Sequence, residues 1–204
     1  ADAGAAARHG RIVQGTFRPH WFFRHPHLQT IAPALLRPSP PLQLRHERLE
    51  LPDGDYVDLG WSGEQHTEGP LAVLVHGLGG GFDSKYLRGT ARSLNAAGWC
   101  TVALQLRGGG SEPNRTPRMY NHGDTQDLRH LWQLLRQQHP RRFIASLGWS
   151  LGANVTLKSL AEEGARAPVD HAAVACAPFK LRLCAEKLRT GFARVYQARM
   201  LNDL

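Results

Sequence analysis

Residues 143–154 constrain the fold of this chain more than any other stretch. A short apolar run ends in the pattern Gly-x-Ser-x-Gly, with Ser150 at its centre, and a helix-forming segment follows at once. Gly148 and Gly152 carry no Cβ, so a strand and a helix can approach closely across a strained turn. The pattern predicts a nucleophile elbow, which presents a reactive serine above the edge of a sheet. The pentapeptide alone also fits an ordinary Gly/Ser turn, so the flanking strand and helix carry the prediction.

Length and charge narrow the class of protein. The chain has 204 residues, enough for one domain with a sizeable buried core. Its formal charge of +8 comes almost entirely from arginine residues that are scattered along the chain. Scattered arginines are typical of a solvated surface, so we expect no nucleic-acid partner.

Cysteine usage and hydropathy exclude several further classes. The three cysteines, Cys100, Cys176 and Cys184, have no metal-binding spacing and no pattern of a disulfide framework. Such sparse use favours a reducing, cytoplasmic compartment. We expect no metal and no cofactor. No apolar run approaches 18 residues, so we also expect no membrane span.

Composition divides the chain into three parts. Residues 1–16 are rich in small residues and are predicted to be a disordered tail. Residues 17–43 are aromatic and interrupted by prolines, which indicates an arm that packs on a core. Residues 44–204 carry the core, and the amphipathic stretch 179–204 is predicted to be helical and to begin a cap.

Within the core, strand-like and helix-like segments alternate. Strands are predicted at 44–51, 56–61, 71–75, 99–106, 142–147 and 170–177, and helices at 84–98, 124–139 and 154–163. Asp124 is a candidate cap for the second of these helices. The first two strands flank turn residues and predict a hairpin. The remaining alternation predicts an α/β fold, a mostly parallel sheet with helices on both faces.

A glycine-rich segment, His76-Gly77-Leu78-Gly79-Gly80-Gly81, follows the third strand. It could be a phosphate loop, but it lacks the Gly-Lys-Ser/Thr ending of that motif. At this position in a hydrolase, such a turn brings a backbone N–H beside the elbow serine. We therefore predict an oxyanion hole formed by the N–H groups of Leu78 and Leu151, with His76 and Gly77 orienting the loop.

Several blocks together resemble the YheT-type branch of the α/β-hydrolases, a group of predicted carboxylic-ester hydrolases. The blocks are 27–30, 53–55 with 57–59, 76–80, 107–108 with 112–115, 120 through 127–129, 148–154 and 177–179. The resemblance implies an α/β-hydrolase fold, Ser150 as the nucleophile, and hydrolysis of esters of an acyl chain. The sequence departs from the family at Gly109, Asn121-His122 and Lys180, where Cys, His-Ser and Asp are usual.

The resemblance also implies that the triad acid and histidine lie beyond residue 204. In this fold they follow later strands than the elbow, so we expect a fold that lacks its last strands. The sixth strand, around Val174, would then be an open apolar edge through which the chain self-associates. Within the chain, His76 and His122 are weaker candidates for the base because of their positions. Glu186 is a weaker candidate for the acid, because its sequence context is that of a surface residue on a helix.

Three functions remain open at this level. The first is a serine hydrolase that acts on small-molecule esters through a Ser150 acyl-enzyme. The second is a shortened, inactive hydrolase-like remnant that binds acyl groups. The third is a basic interaction protein. The first two differ in whether a histidine lies within hydrogen-bond reach of Ser150.

Overall fold

A computed structural model describes residues 10–64 and 69–202 and divides the chain into two compact units, residues 1–38 and 39–204. In the first unit a 3-10 turn, Trp21–Phe23, precedes helix α1, Pro26–Leu36. The sequence analysis did not predict this helix because of its prolines. Pro26 lies in the first turn, where no N–H is needed, and Pro33 removes only one backbone hydrogen bond. Residues 1–9 of the predicted tail lie outside the described residues, and packing of the arm on the core stays a prediction.

The second unit is built on one six-stranded sheet. Its strands are β1 Arg45–Glu50, β2 Tyr56–Ser62, β3 Leu71–Val75, β4 Cys100–Leu104, β5 Ile144–Trp149 and β6 His171–Ala175. Their order in the sheet is β1-β2-β4-β3-β5-β6. The β1–β2 hairpin is antiparallel, β2 pairs antiparallel with β4, and all later pairs are parallel. The predicted fold class and hairpin are confirmed.

Helices cover both faces of this sheet. Those that pack on it are α2 Lys85–Ala96, α3 Gln126–Gln138 and α4 Leu151–Glu163. Two further helices, α5 Leu181–Leu188 and α6 Ala193–Asn202, follow β6 along the chain. On one face, Val73 of β3 shares a core cluster with Trp132 of α3 and Leu151 of α4. On the other face, Leu74 of β3 packs with Leu87 of α2. Strand residues alternate between the two clusters because successive side chains point to opposite faces.

The middle strands β3 and β4 are apolar apart from Thr101, because both of their faces are covered. Every residue of β3 and of β4 is buried, as continuous apolar runs predict for strands under helices on both sides. The edge strand β6 differs, since all five of its residues are exposed. Among the described residues it pairs only with β5. Self-association through this edge stays a prediction.

Two local predictions need correction. Asp124 does not cap α3: Thr125 is the N-cap, and the Asp124 carboxylate instead accepts hydrogen bonds from Arg118. The elbow strand begins two residues later than predicted, at Ile144, because the backbone N–H of Arg142 donates to the carbonyl of His139, 3.2 Å away, in the turn after α3. None of the helices in the described part of the chain has the length and apolar character needed to cross a membrane.

Candidate active site

The register of the sheet brings the elbow and the glycine loop to the same edge. β3 and β5 are parallel neighbours, and Val75 pairs with Gly148. The residues that follow these strands therefore emerge side by side, His76 and Gly77 after β3 and Ser150 after β5. In parallel sheets this edge, at the carboxyl ends of the strands, is where ligands bind.

Ser150 occupies a strained backbone position between β5 and α4. Its φ is 51° and its ψ is −114°, whereas ordinary L-residues avoid positive φ. The two glycines of the motif make this turn sterically possible. A Cβ on Gly148 would lie 2.5 Å from the carbonyl oxygen of Gly152, and a Cβ on Gly152 would lie 2.3 Å from that of Val75. Strain of this kind is typical of functional sites.

The glycine loop lies directly against the serine. A Cβ built on Gly77 would be 3.2 Å from Ser150 Cβ, so only glycine fits without displacing a neighbour. Ser150 itself is half-buried. Its Oγ has no hydrogen-bond partner among residues 10–64 and 69–202. The hydroxyl is thus available to a ligand that enters beside Gly77.

Most N–H groups of the loop are already used. Those of four glycines have acceptors: Gly77 donates to Tyr86 Oη at 2.9 Å, Gly79 to Tyr120 Oη at 3.1 Å, Gly80 to the carbonyl of Gly77 at 3.0 Å and Gly81 to Ser84 Oγ at 3.0 Å. Within the described residues the N–H of Leu78 has no acceptor. The N–H of Leu151, at the first position of α4, also lacks one there, as expected at a helix N-terminus.

His76 is held as a neutral ring with both nitrogens engaged. Its Nε2 accepts from the backbone N–H of Leu106 at 3.1 Å, so the ring proton lies on Nδ1, which is 2.7 Å from the carbonyl of Gly77. Burial of the fully enclosed ring lowers the pKa of His76, although the bond to Gly77 opposes this shift. A ring in this state has no free nitrogen to take a proton from Ser150, and its role in orienting the loop stays a prediction.

A buried ion-pair network is centred on Arg107, in the segment that follows β4. The Arg107 guanidinium is only 2% exposed and donates two hydrogen bonds to Asp127, at 3.0 and 2.7 Å. It also contacts Asp53 at 2.7 Å and the fully buried Asp55 at 3.2 Å. Burial alone would raise the pKa of Asp55, but hydrogen bonds from Thr116 and others outweigh it and hold the pKa well below its usual range.

The network explains why widely separated motifs occur together in this sequence. It joins the turn between β1 and β2 to the segment that follows β4, residues 107–124. Asn114 donates to Asp55 at 3.0 Å and accepts from the Gly108 N–H at 2.6 Å. The backbone N–H of Tyr120 donates to the carbonyl of Arg107 at 3.0 Å. The segment is therefore fixed at both ends, and Tyr120 is carried to the glycine loop.

The remaining candidates, His122 and Glu186, make contacts other than with the serine hydroxyl. His122 is partly buried, which lowers the pKa of its ring, and its backbone carbonyl accepts from Asn154 at 3.1 Å. Glu186 lies on α5, 3.7 Å from Arg182 of the preceding turn. Neither side chain hydrogen-bonds to Ser150. The described part of the chain also contains no group of three or more His, Cys, Asp or Glu side chains that could hold a metal ion.

Sequence reasoning missed three contributors to this site. Arg107 was noted only as part of a motif, although a lone arginine directly after a buried strand is a signal for a buried ion pair. Tyr120 was likewise noted only as the first residue of a block, and Tyr86 gave no signal of its own. Their hydroxyls reach the glycine loop only because the fold brings α2 and the 107–124 segment to it.

Comparison with known proteins places this geometry in context. A family model of the alpha/beta hydrolase fold matches residues 70–203. A protein of Escherichia coli (strain K12) named "Putative esterase YheT" is 40% identical over 190 residues, covering 92% of this chain and 56% of that protein. The medium-chain fatty acid ethyl ester synthase/esterase 2 of Saccharomyces cerevisiae is 34% identical over 120 residues, 58% of this chain and 27% of that protein.

Solved structures agree on the architecture. The Pyrococcus furiosus esterase Pf2001 matches with a TM-score of 0.61 at 17% identity, covering 78% of this chain and 61% of that chain. At this identity the likeness concerns the fold alone. The chain spans about half the length of the curated relatives that match most of it, 56% of the Escherichia coli protein and 44% of the embryogenesis-associated protein EMB8 of Picea glauca.

Proposed function

Because the chain belongs to the α/β-hydrolase fold family, we propose that it carries the nucleophile and oxyanion hole of a serine hydrolase that cleaves carboxylic esters. One observation supports this most strongly. The strained Ser150 lies against Gly77, and the N–H groups of the residues that follow each of them, Leu151 after Ser150 and Leu78 after Gly77, have no acceptor in the described part of the chain.

In the proposed reaction Ser150 Oγ attacks the carbonyl carbon of the ester. A new C–O bond forms, the carbonyl π electrons move to oxygen, and the serine proton passes to a general base. The N–H groups of Leu78 and Leu151 stabilise the resulting oxyanion, each by about 3 kcal/mol, as single donors do in related sites. Collapse of the intermediate expels the alkoxide, which takes up a proton, and water later hydrolyses the acyl-enzyme.

The general base is proposed to come from outside the described residues. None of their histidines hydrogen-bonds to Ser150 Oγ, and a serine hydroxyl is a weak nucleophile while it keeps its proton. Loss of the base alone lowers the rate of a serine protease by about 10⁶-fold. An acyl-binding function without turnover is therefore the alternative for a chain in which no base reaches Ser150.

The substrate class follows from the site and from its relatives. Backbone donors at the serine recognise a carbonyl oxygen and do not select a particular alcohol or acyl group. One relative is named a medium-chain fatty acid ethyl ester synthase/esterase, and for this protein we propose only that the substrate contains an ester bond and an acyl chain. We expect small-molecule esters to be the substrates.

Hydrolysis of p-nitrophenyl acetate, butyrate and octanoate by the protein in its natural full length tests the proposal. Ser150→Ala removes the nucleophile and should abolish turnover of every ester. Ser159→Ala is a matched control, because Ser159 lies on the same helix and its buried Oγ has no partner among the described residues. Equal rates in the two variants would refute the role of Ser150. Ester binding without turnover in the wild type would support the acyl-binding alternative.

A further inference from the structure

The glycine loop needs an external support to keep its donor in place. Four of its six residues, 76–81, are glycines, and Gly79 adopts a φ of +63°. Glycine gives the backbone more freedom than any other residue, so an isolated loop of this composition would sample many orientations of the Leu78 peptide. An oxyanion donor stabilises the transition state only when it is aimed before the reaction begins.

Two tyrosine hydroxyls provide that support from opposite sides of Leu78. Tyr86 Oη accepts the N–H of Gly77 at 2.9 Å, and Tyr120 Oη accepts the N–H of Gly79 at 3.1 Å. The peptide units 76–77 and 78–79, which flank the unit that carries the Leu78 N–H, are therefore fixed. The N–H between them is left without an acceptor among the described residues.

Both tyrosine rings are themselves held in position. The ring of Tyr86 on α2 packs against Trp149, the residue before the elbow serine, with centroids 5.2 Å apart. The ring of Tyr120 packs edge-on against His76 at 6.1 Å. Tyr120 also receives the support of the buried network, since its N–H is bound to the carbonyl of Arg107. Each hydroxyl is thus aimed by rigid parts of the fold.

We propose that Tyr86 and Tyr120 are positioning residues of the acyl-transfer site, which hold the Leu78 N–H towards Ser150 by accepting the N–H groups on either side of it. This inference rests on the proposed function. Neither tyrosine takes part in bond making. The hydroxyls act through the loop, and the buried Arg107 network acts through Tyr120. The donors, the nucleophile and their supports thereby form one preorganised unit.

Phenylalanine variants test the proposal in the natural full-length protein. Tyr86→Phe and Tyr120→Phe keep the rings and remove only the acceptors. A displacement of about 1 Å at a catalytic group lowers rates by up to about 100-fold. We therefore expect kcat for p-nitrophenyl butyrate to fall by about 10- to 100-fold, with KM changed by less than about twofold because ground-state binding does not use the oxyanion hole.

Ser62→Ala is the matched control. The Ser62 hydroxyl donates a bond of similar length, 2.8 Å, to Asn95 Oδ1 and lies 2.7 Å from Thr101 Oγ1, but among the described residues it bonds to neither the glycine loop nor residues 107–124. This variant should lower thermal stability as the other two do and leave kcat unchanged. If kcat falls no further in Tyr86→Phe and Tyr120→Phe than in Ser62→Ala, the tyrosines are merely structural and the proposal is overturned.

Amide hydrogen exchange separates this inference from the proposed function. In the wild type, the Gly77 and Gly79 amides should exchange at least about tenfold more slowly than the Leu78 amide, since hydrogen bonds protect only the first two. Tyr86→Phe should speed the exchange of the Gly77 amide alone, and Tyr120→Phe should speed that of the Gly79 amide alone. If wild type shows no Ser150-dependent turnover, the proposed function fails and exchange decides the loop arrangement. Equal exchange at all three amides overturns the proposal whatever the activity.

Discussion

Replacing Gly152 by alanine is the sharpest steric test of the elbow. A Cβ at this position would lie 2.3 Å from the carbonyl oxygen of Val75 and 2.4 Å from that of His76. Non-bonded heavy atoms normally stay about 3.5 Å apart, so the start of α4 would have to move by about 1 Å from β3. Both obstructing atoms are backbone, and no side-chain rotation relieves the contact.

The expected loss of stability follows from this clash. Overpacking of a close contact typically costs up to about 3 kcal/mol, and in a domain of this size 1 kcal/mol corresponds to about 2–4 °C in Tm. Gly152→Ala should therefore lower Tm by about 6–12 °C. The same shift displaces the Leu151 N–H by about 1 Å, so any Ser150-dependent hydrolysis should also fall by about 100-fold.

Gly164→Ala is the control for this measurement. Gly164 lies just after the other end of α4, has a φ of +57° and has nothing within 4 Å of an added Cβ. Its replacement meets only the left-handed backbone penalty of about 1 kcal/mol. Thermal unfolding followed by circular dichroism compares the two variants. If Gly152→Ala lowers Tm no more than Gly164→Ala does, the close approach of α4 to β3 does not require a glycine at position 152.

Two further predictions concern buried polar groups. Asp127→Asn leaves the Arg107 guanidinium without its two-point partner and should lower the free energy of unfolding by about 3 kcal/mol in urea titrations; a loss below about 1 kcal/mol would mean that the ion pair is not a stabilising contact. His76 is buried as a neutral ring with a lowered pKa, so it contributes stability above the unfolded pKa of about 6.5, and that contribution is lost as pH falls below this value. Nitrogen-15 shifts of the ring should show the neutral Nδ1–H form at pH 6.5, whereas a half-protonated ring at that pH would contradict this prediction.

Much of the core could be predicted from the sequence because its signals are local. The β3 strand was predicted at its observed bounds, residues 71–75, since a continuous apolar run needs cover on both faces. The elbow was predictable because the Gly-x-Ser-x-Gly pattern lies within one strand–turn–helix unit, although Gly152 contacts the carbonyls of Val75 and His76 outside that unit. The predicted helix 154–163 was too short, however, since α4 begins at Leu151, directly after the serine. Small residues at its start masked the helical pattern.

What the sequence did not reveal depends on long-range contacts. The Tyr120 hydroxyl bonds to a residue 41 positions away, and Arg107 pairs with Asp53, 54 positions away. No periodicity or spacing reports such pairs. Asp124 was assigned to a helix cap because its local position suits one, but the nearby Arg118 competes for the same carboxylate. The Arg118–Asp124 ion pair forms in place of the cap because two ionised groups bind more strongly than a carboxylate and a backbone amide.

The central claim is that Ser150 is the nucleophile of this fold. Labelling of the natural full-length protein with a fluorophosphonate probe, followed by mass spectrometry of the peptides, tests it most directly. We expect one adduct, on Ser150, that is absent from Ser150→Ala and unchanged in Ser159→Ala. An unlabelled wild-type protein that is fully folded, or an adduct that persists in Ser150→Ala, would contradict it.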